Sequence, residues 1–236
     1  MAHHETLREL YAPFLNAFLT IEIIKSMVPK VGGSVEDHFK IFYKQGDLKK
    51  GKNLIIFEIA KRYVLNFLNQ EIQSLADGNT IKLLMVETDV STEIKLKDIS
   101  FPIRLKGQID RVDEFNGVTR VIDYKTGKVL QNQVEIVHWD EITTDYFKYG
   151  KSFQILLYAF IMNNNKKFHE PIEAGIISFK NLGAGFLKFA KKDRTGNGAT
   201  KESLISHEFL EAFHIELKKL ILEIYNPEID FIEKQT

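Results

Sequence analysis

The chain has 236 residues, 44% hydrophobic and 11% aromatic, enough to bury a substantial core. Its 32 Lys and Arg balance 32 Asp and Glu, so any contact with a polyanion must come from local groups rather than from the global field. It has no cysteine, which excludes disulfides, thiolate zinc sites and cysteine-ligated iron–sulfur clusters within this chain and leaves oxygen and imidazole as metal donors.

The apolar runs at 53–57 and 155–162 are far shorter than the roughly 20 residues of a membrane span, so no such span is expected. The first residues lack a basic segment followed by an apolar one, which points away from a secretory signal and toward the cytoplasm.

In chain order, Leu7, Leu10, Tyr11, Phe14, Leu15 and Phe18 recur at steps of three and four and predict an opening helix interrupted at Pro13. Ser34 and Asp37 resemble a capping box for a helix over 35–44. Asn53 caps a long helix ending near Gly78, with Leu54, Phe57, Tyr63, Val64, Phe67, Leu68 and Leu75 on its buried side. The period then changes to two, predicting strands at 81–88, 92–97, 103–115 and 118–124, with a hairpin turn at Asn116-Gly117. A helix over 152–162, strands near 174–179 and 186–189, a polar loop over 193–200 and an amphipathic helix over 206–225 complete the chain. The expected organisation is one domain, with a helical part at 1–78 and a core at 79–236. Basic runs at 49–52, 166–167 and 188–194 offer phosphate contacts, although solvated lysines are the ordinary reading of each.

The hairpin holds the most informative residues. With Asn116-Gly117 as a two-residue turn, Phe115 pairs with Val118, and counting outward sets Asp113 against Arg120 and Asp110 against Asp123. The last pair falls at a non-hydrogen-bonded position, where Cα atoms are about 4.5 Å apart. Facing carboxylates repel, and the repulsion must be offset by a proton, a cation or a metal. Lys125 lies two residues past Asp123 and therefore on the same face. An Asp-x-Lys alone is most often a solvent-facing pair; the opposed Asp110 sets this one apart. Two carboxylates and the Tyr124 carbonyl suit Mg²⁺ or Mn²⁺, which would polarise a phosphoryl oxygen and acidify a bound water, while Lys125 would orient that water and stabilise developing charge. A bulge would separate the acids.

The strings at 105–113 (LKGQIDRVD) and 121–127 (VIDYKTG) resemble the G-x-x-D-R-(V/I)-D and (I/V)-D-Y-K-T-G signatures of RecB-like and AddB-like nucleases of the PD-(D/E)XK superfamily. Gln154 and Tyr158 are similar to that family's Q-x-x-x-Y element, and the stretch 4–11 (HETLRELY) resembles its first helix. The resemblance implies a restriction-endonuclease-like α/β core: a mixed central sheet flanked by helices, with a helical N-terminal region. It also implies Asp110 and Asp123 as metal ligands, His4 as an auxiliary ligand, Lys125 as electrostatic catalyst, and Gln154 and Tyr158 as residues that position the lysine and the DNA strand.

The activity so implied is Mg²⁺- or Mn²⁺-dependent hydrolysis of DNA, exonuclease more than endonuclease, in end processing during recombination and repair. The partners implied are DNA ends and helicase domains in the same or another chain, with no membrane. Many relatives carry an iron–sulfur cluster; this cysteine-free chain holds none, and it reads as a domain from a longer helicase–nuclease chain, ending at 231–236 about where some relatives approach their C-terminal cysteines. The competing expectation is an inactive nuclease fold acting as a DNA-binding or scaffold module, against which Asp110, Asp123, Lys125 and Gln154 all argue; an RNA-directed nuclease is a third. Glu87 either lines the same cleft or is exposed, with exposure the default, and Arg111 and Lys151 are read as phosphate contacts or exposed charges.

Overall fold

The computed structural model describes residues 2–42, 50–166 and 171–230. Lys49 and Lys167 of the basic runs, the end of the helix expected over 35–44 and the last six residues, 231–236, lie outside this set.

Helix α1 (Ala2–Tyr11) stops at a 3₁₀ turn that begins at Ala12, because Pro13 has no amide hydrogen to continue the ladder. The opening amphipathic face therefore ends earlier than its spacing suggests. Leu7, Leu10 and Tyr11 are buried, whereas Leu15 and Phe18 are exposed. Helices α2 (Ile21–Met27) and α3 (Val31–Phe42) follow. Ser34 lies inside α3 and donates its hydroxyl to Glu9 on α1, so the capping box expected there is not one. Helix α4 (Gly51–Ala76) likewise starts ahead of Asn53, with Lys50 as N-cap and no side-chain cap. Val64, Phe67 and Leu68 are buried as expected, while Leu54 is exposed.

Residues 81–94 form one strand, β1 (Ile81–Ile94), where two were expected. Its register on β2 (Ile103–Phe115) shifts between Leu83 and Met85, and Glu87 adopts φ 42°, so an irregular strand reads in sequence as a break. Asn116 and Gly117, at φ 51° and 84°, turn the chain into β3 (Val118–Lys125), with Phe115 opposite Val118 and Asp113 opposite Arg120 as expected. A two-residue strand, β4 (Glu135–Ile136), precedes α5 (Tyr146–Asn164), which starts six residues before the expected helix because Asp145 caps it by accepting from the Lys148 amide.

After α5 come β5 (Glu173–Ser178), β6 (Phe186–Lys188), β7 (Ala190–Lys192), β8 (Lys201–Glu202) and α6 (His207–Ile224), the last capped by Ser206. The main sheet has the order β1-β2-β3-β5-β6, antiparallel except for the parallel β3–β5 pair that α5 connects. A small sheet, β4-β7-β8, was not foreseen; its segments are too short to show a period. This is the mixed sheet flanked by helices that the sequence implies.

One face of the sheet packs Ile109, Val112, Val121 and Ile176 against α5 and α6; the other packs Ile81, Leu83, Ile122 and Tyr124 against α1 to α4. On α6 the buried stripe is Phe209, Leu210, Phe213, Leu217 and Ile221, each contributing roughly 1.5–3 kcal/mol of burial.

Gly175, on the strand between β3 and β6, has no room for a side chain: a Cβ there would stand 2.3 Å from the Leu187 carbonyl oxygen. Since backbone cannot move aside cheaply, Gly175→Ala is expected to destabilise the fold by about 1–3 kcal/mol, read as a lower midpoint in urea unfolding.

Candidate active site

Where β2 and β3 leave their hairpin, Asp110 and Asp123 occupy the position just beyond the last paired residues, Arg111 and Ile122. Asp110 accepts the Tyr124 amide at 2.5 Å, which ties it to β3. Helix α1 brings His4 over the same point, with Nδ1 3.3 Å from Asp110 Oδ1 and 3.2 Å from Glu87 Oε1. His4, Glu87 and Asp110 thus offer one nitrogen and two oxygens, all within 4.8 Å of one another.

Glu87 is the residue that sequence reasoning placed wrongly. Its side chain is only 5% exposed. Val86 pairs with Arg111 and Thr88 with Ile109, so Glu87 stands across from Asp110, and its φ of 42° is a local departure from extended backbone. Arg111 is corrected as well. It is fully buried on the opposite side of β2 from Asp110, bound to Glu71 and Asp113 at 2.8 Å each, and it contacts no solvent through which a phosphate could reach it. Lys151 is half-buried on α5.

Lys125 projects on the Asp123 side as strand alternation requires, with Nζ 2.9 Å from Asp123 Oδ2. It also donates to Gln154 Oε1 at 2.8 Å, and Gln154 Nε2 donates to the Tyr158 hydroxyl at 2.8 Å. An ammonium has three hydrogens, so two are committed to Asp123 and Gln154 and one is left to point at a ligand. Tyr158 in turn lies over Gly107 of β2, where a Cβ would stand 2.6 Å from its ring. The glycine that opens G-x-x-D-R thus makes room for the tyrosine of Q-x-x-x-Y. Gly107→Ala is expected to displace Tyr158, loosen the Gln154–Lys125 contact and lower kcat about ten- to a hundredfold with little change in KM, measured by steady-state kinetics.

The electrostatics reflect crowded acids. Burial lifts the Asp123 carboxyl to about 6; Lys125 opposes that shift and Asp110 adds to it. Burial alone would lower the His4 imidazole, but hydrogen bonding and charge from Asp110 and Glu87 outweigh it and lift it to about 9. At neutral pH His4 is therefore protonated and offsets part of the negative charge of Asp110 and Glu87. The adjacent His3, buried among aromatic rings that include Tyr63 and Phe179, is held down to about 3 by desolvation and stays neutral.

The site residues that the resemblance implies, His4, Asp110, Asp123, Tyr124, Lys125, Gln154 and Tyr158, take part in this one hydrogen-bonded and charge-coupled assembly, and Arg111 does not. Oxygen and imidazole donors with no sulfur fit a hard or borderline divalent cation. Among the described residues no helix is long and apolar enough to cross a membrane.

The chain matches the family model of the PD-(D/E)XK nuclease superfamily over residues 4–236. Searches of curated proteins and of solved structures gave no match. Because the match spans nearly the whole length and includes the assembly just described, the chain belongs to the PD-(D/E)XK nuclease superfamily.

Proposed function

We propose that the chain hydrolyses DNA phosphodiester bonds with Mg²⁺ or Mn²⁺, as a RecB-like, end-processing exonuclease that works beside helicase domains. The observation that carries the reading is the His4, Glu87 and Asp110 group, whose donor atoms from α1, β1 and β2 lie within 4.8 Å of one another, with the Asp123–Lys125 pair on the adjoining β3. His4, Glu87, Asp110 and Asp123 would hold the cation, with the Tyr124 carbonyl as a further oxygen donor. When bound, the cation supplies Lewis-acid polarisation of the phosphate and a more acidic water.

The chain's own groups supply the rest. Lys125 uses its uncommitted N–H to hold the attacking water or a non-bridging phosphate oxygen, and its charge stabilises the negative charge that develops there. Gln154 fixes the direction of that N–H, and Tyr158 fixes Gln154. Asp110, held by the Tyr124 amide, keeps its carboxylate aimed without needing to reorganise.

Since His4 must be neutral to serve as a ligand, metal binding releases its proton. Mn²⁺ affinity is therefore expected to rise with pH, about tenfold per unit, until it levels off near 9, with a further loss below 6 as Asp123 takes up a proton. The metal-free fold runs the other way. His4 has a folded pKa above its unfolded one, so its stabilising contribution is complete below about 6.5 and fades as pH rises through about 9. Calorimetric titration and thermal melting across pH 5.5–9.5 check both.

The reading is tested with end-labelled linear DNA, covalently closed DNA and RNA of matching sequence, each with Mg²⁺ or Mn²⁺. Progressive shortening of the linear DNA alone supports an end-processing deoxyribonuclease. Equal cutting of closed circles, or preference for RNA, contradicts that part of it.

A further inference from the structure

Helix α5 carries more than Gln154 and Tyr158. Near its start, Tyr146 and Phe147 are 81% and 73% exposed, and Tyr146 is the most exposed large apolar side chain among the described residues. Their rings meet edge to face at 5.9 Å. At 100° per residue, Phe147, Lys151, Gln154 and Tyr158 fall within roughly 60° of one another, forming one stripe that runs along the helix to the catalytic lysine.

Between the aromatic pair and the site stands Gly150, in the second turn of the helix, where glycine costs about 1 kcal/mol relative to alanine. A Cβ there would stand 3.0 Å from the Tyr146 ring, so the glycine leaves that ring free to lie along the helix. The two carboxylates nearest in sequence are engaged: Asp145 caps the helix, and Glu141 accepts the Tyr149 hydroxyl at 2.6 Å. Lys148 and Lys151 add positive charge on either side of Gly150.

We propose that Tyr146 and Phe147, with Lys151, form a stacking platform for unpaired bases of the strand whose phosphate is presented to Lys125, which makes single-stranded DNA or a frayed end the substrate class. Two exposed rings beside lysines are the elements by which proteins hold single strands without reading sequence, since every base has a π face and every linkage a charge. The platform is continuous with the site. Phe147 precedes Gln154 by seven residues, about 10 Å of helix, which matches about three stacked nucleotides at 3.4 Å each. A duplex keeps its base faces covered and could not use it. The inference rests on the nuclease reading for the direction of the strand, but base stacking can be measured without cleavage.

The probe is an oligodeoxythymidylate carrying one 2-aminopurine, whose fluorescence falls on stacking. It is mixed in EDTA with the full chain, with the double variant Tyr146→Ala/Phe147→Ala, and with Phe147→Tyr. The wild type is expected to quench it, the double variant to bind at least tenfold more weakly with no quenching, and Phe147→Tyr to stay within about twofold. Both side chains are exposed, so the melting temperature should not move.

With Mn²⁺, hydrolysis of the oligodeoxythymidylate is expected to fall in the double variant, while hydrolysis of an abasic strand of equal length stays unchanged. Equal quenching and affinity in wild type and double variant would overturn the platform, as would an equal loss of cleavage on the abasic strand. Quenching by a wild type that cuts neither strand would uphold the platform and count against the nuclease reading.

Discussion

Lys125→Ala is expected to lower kcat for DNA cleavage by about a hundred- to a thousandfold while leaving Mn²⁺ affinity unchanged or tighter. The size follows from losing a preorganised cationic donor aimed at developing charge. The retained affinity follows from the contact between Lys125 Nζ and Asp123 Oδ2 at 2.9 Å, since the ammonium would compete with a cation for that oxygen. Removing the ammonium frees that oxygen and leaves three carboxylates, Glu87, Asp110 and Asp123, with only His4 to balance them. Rapid-quench cleavage and calorimetric Mn²⁺ titration of the same sample separate the two effects. A variant that loses metal binding along with cleavage would show that Lys125 organises the ligands instead of acting in the chemical step.

The largest expected loss of stability belongs to Arg111→Ala. Arg111 is 1% exposed, bridges Glu71 of α4 and Asp113 of β2 at 2.8 Å each, and lies over the Tyr11 ring at 5.0 Å. Glu71 also receives the Tyr11 hydroxyl, and Asp113 is clasped by Nε and Nη2 of Arg120 at 2.8 and 2.9 Å. Truncating the arginine leaves Glu71 buried without a cation, a defect that costs about 3–5 kcal/mol, against a total stability of about 5–15 kcal/mol for a typical domain. The network sits behind Asp110 and Tyr124, so the cost also reaches the site. Replacing both partners, Arg111→Met with Glu71→Met, is expected to recover a large part of the loss, since an apolar pair leaves no charge to solvate. Guanidinium unfolding of the single and double variants measures this directly.

The hairpin was readable because its turn chemistry fixes its register. Asn116 and Gly117 accept positive φ, and from there strand geometry alone sets Asp110 beside Asp123 and Lys125 beyond them. No such device joins β1 to β2. The residues between Ile94 and Ile103 define no tight turn, so nothing in sequence set Glu87 across from Asp110, and its φ of 42° falls where alternation stops being a guide.

Arg111 was misjudged for a related reason: its partner Glu71 lies forty residues upstream on another element, and without that partner a buried guanidinium is the less economical assumption. The start of α5 was hidden by Gly150 and by β-prone aromatics at Tyr146 and Phe147, although the Asp145 cap was there to be found. For Glu87 and Arg111, what escaped the sequence was a pairing between distant segments, and Glu87 with Asp110 and His4 makes a group of donors that could hold a metal ion.

The most direct measurement is cleavage of linear single- and double-stranded DNA in Mg²⁺, in Mn²⁺ and in EDTA by the wild type and by Asp123→Ala, with melting temperatures recorded to confirm that both are folded. The wild type is expected to cleave only with the metal present, and Asp123→Ala not at all. A folded wild type that cuts neither substrate with either metal, or an Asp123→Ala variant that cuts as fast as the wild type, would contradict this expectation.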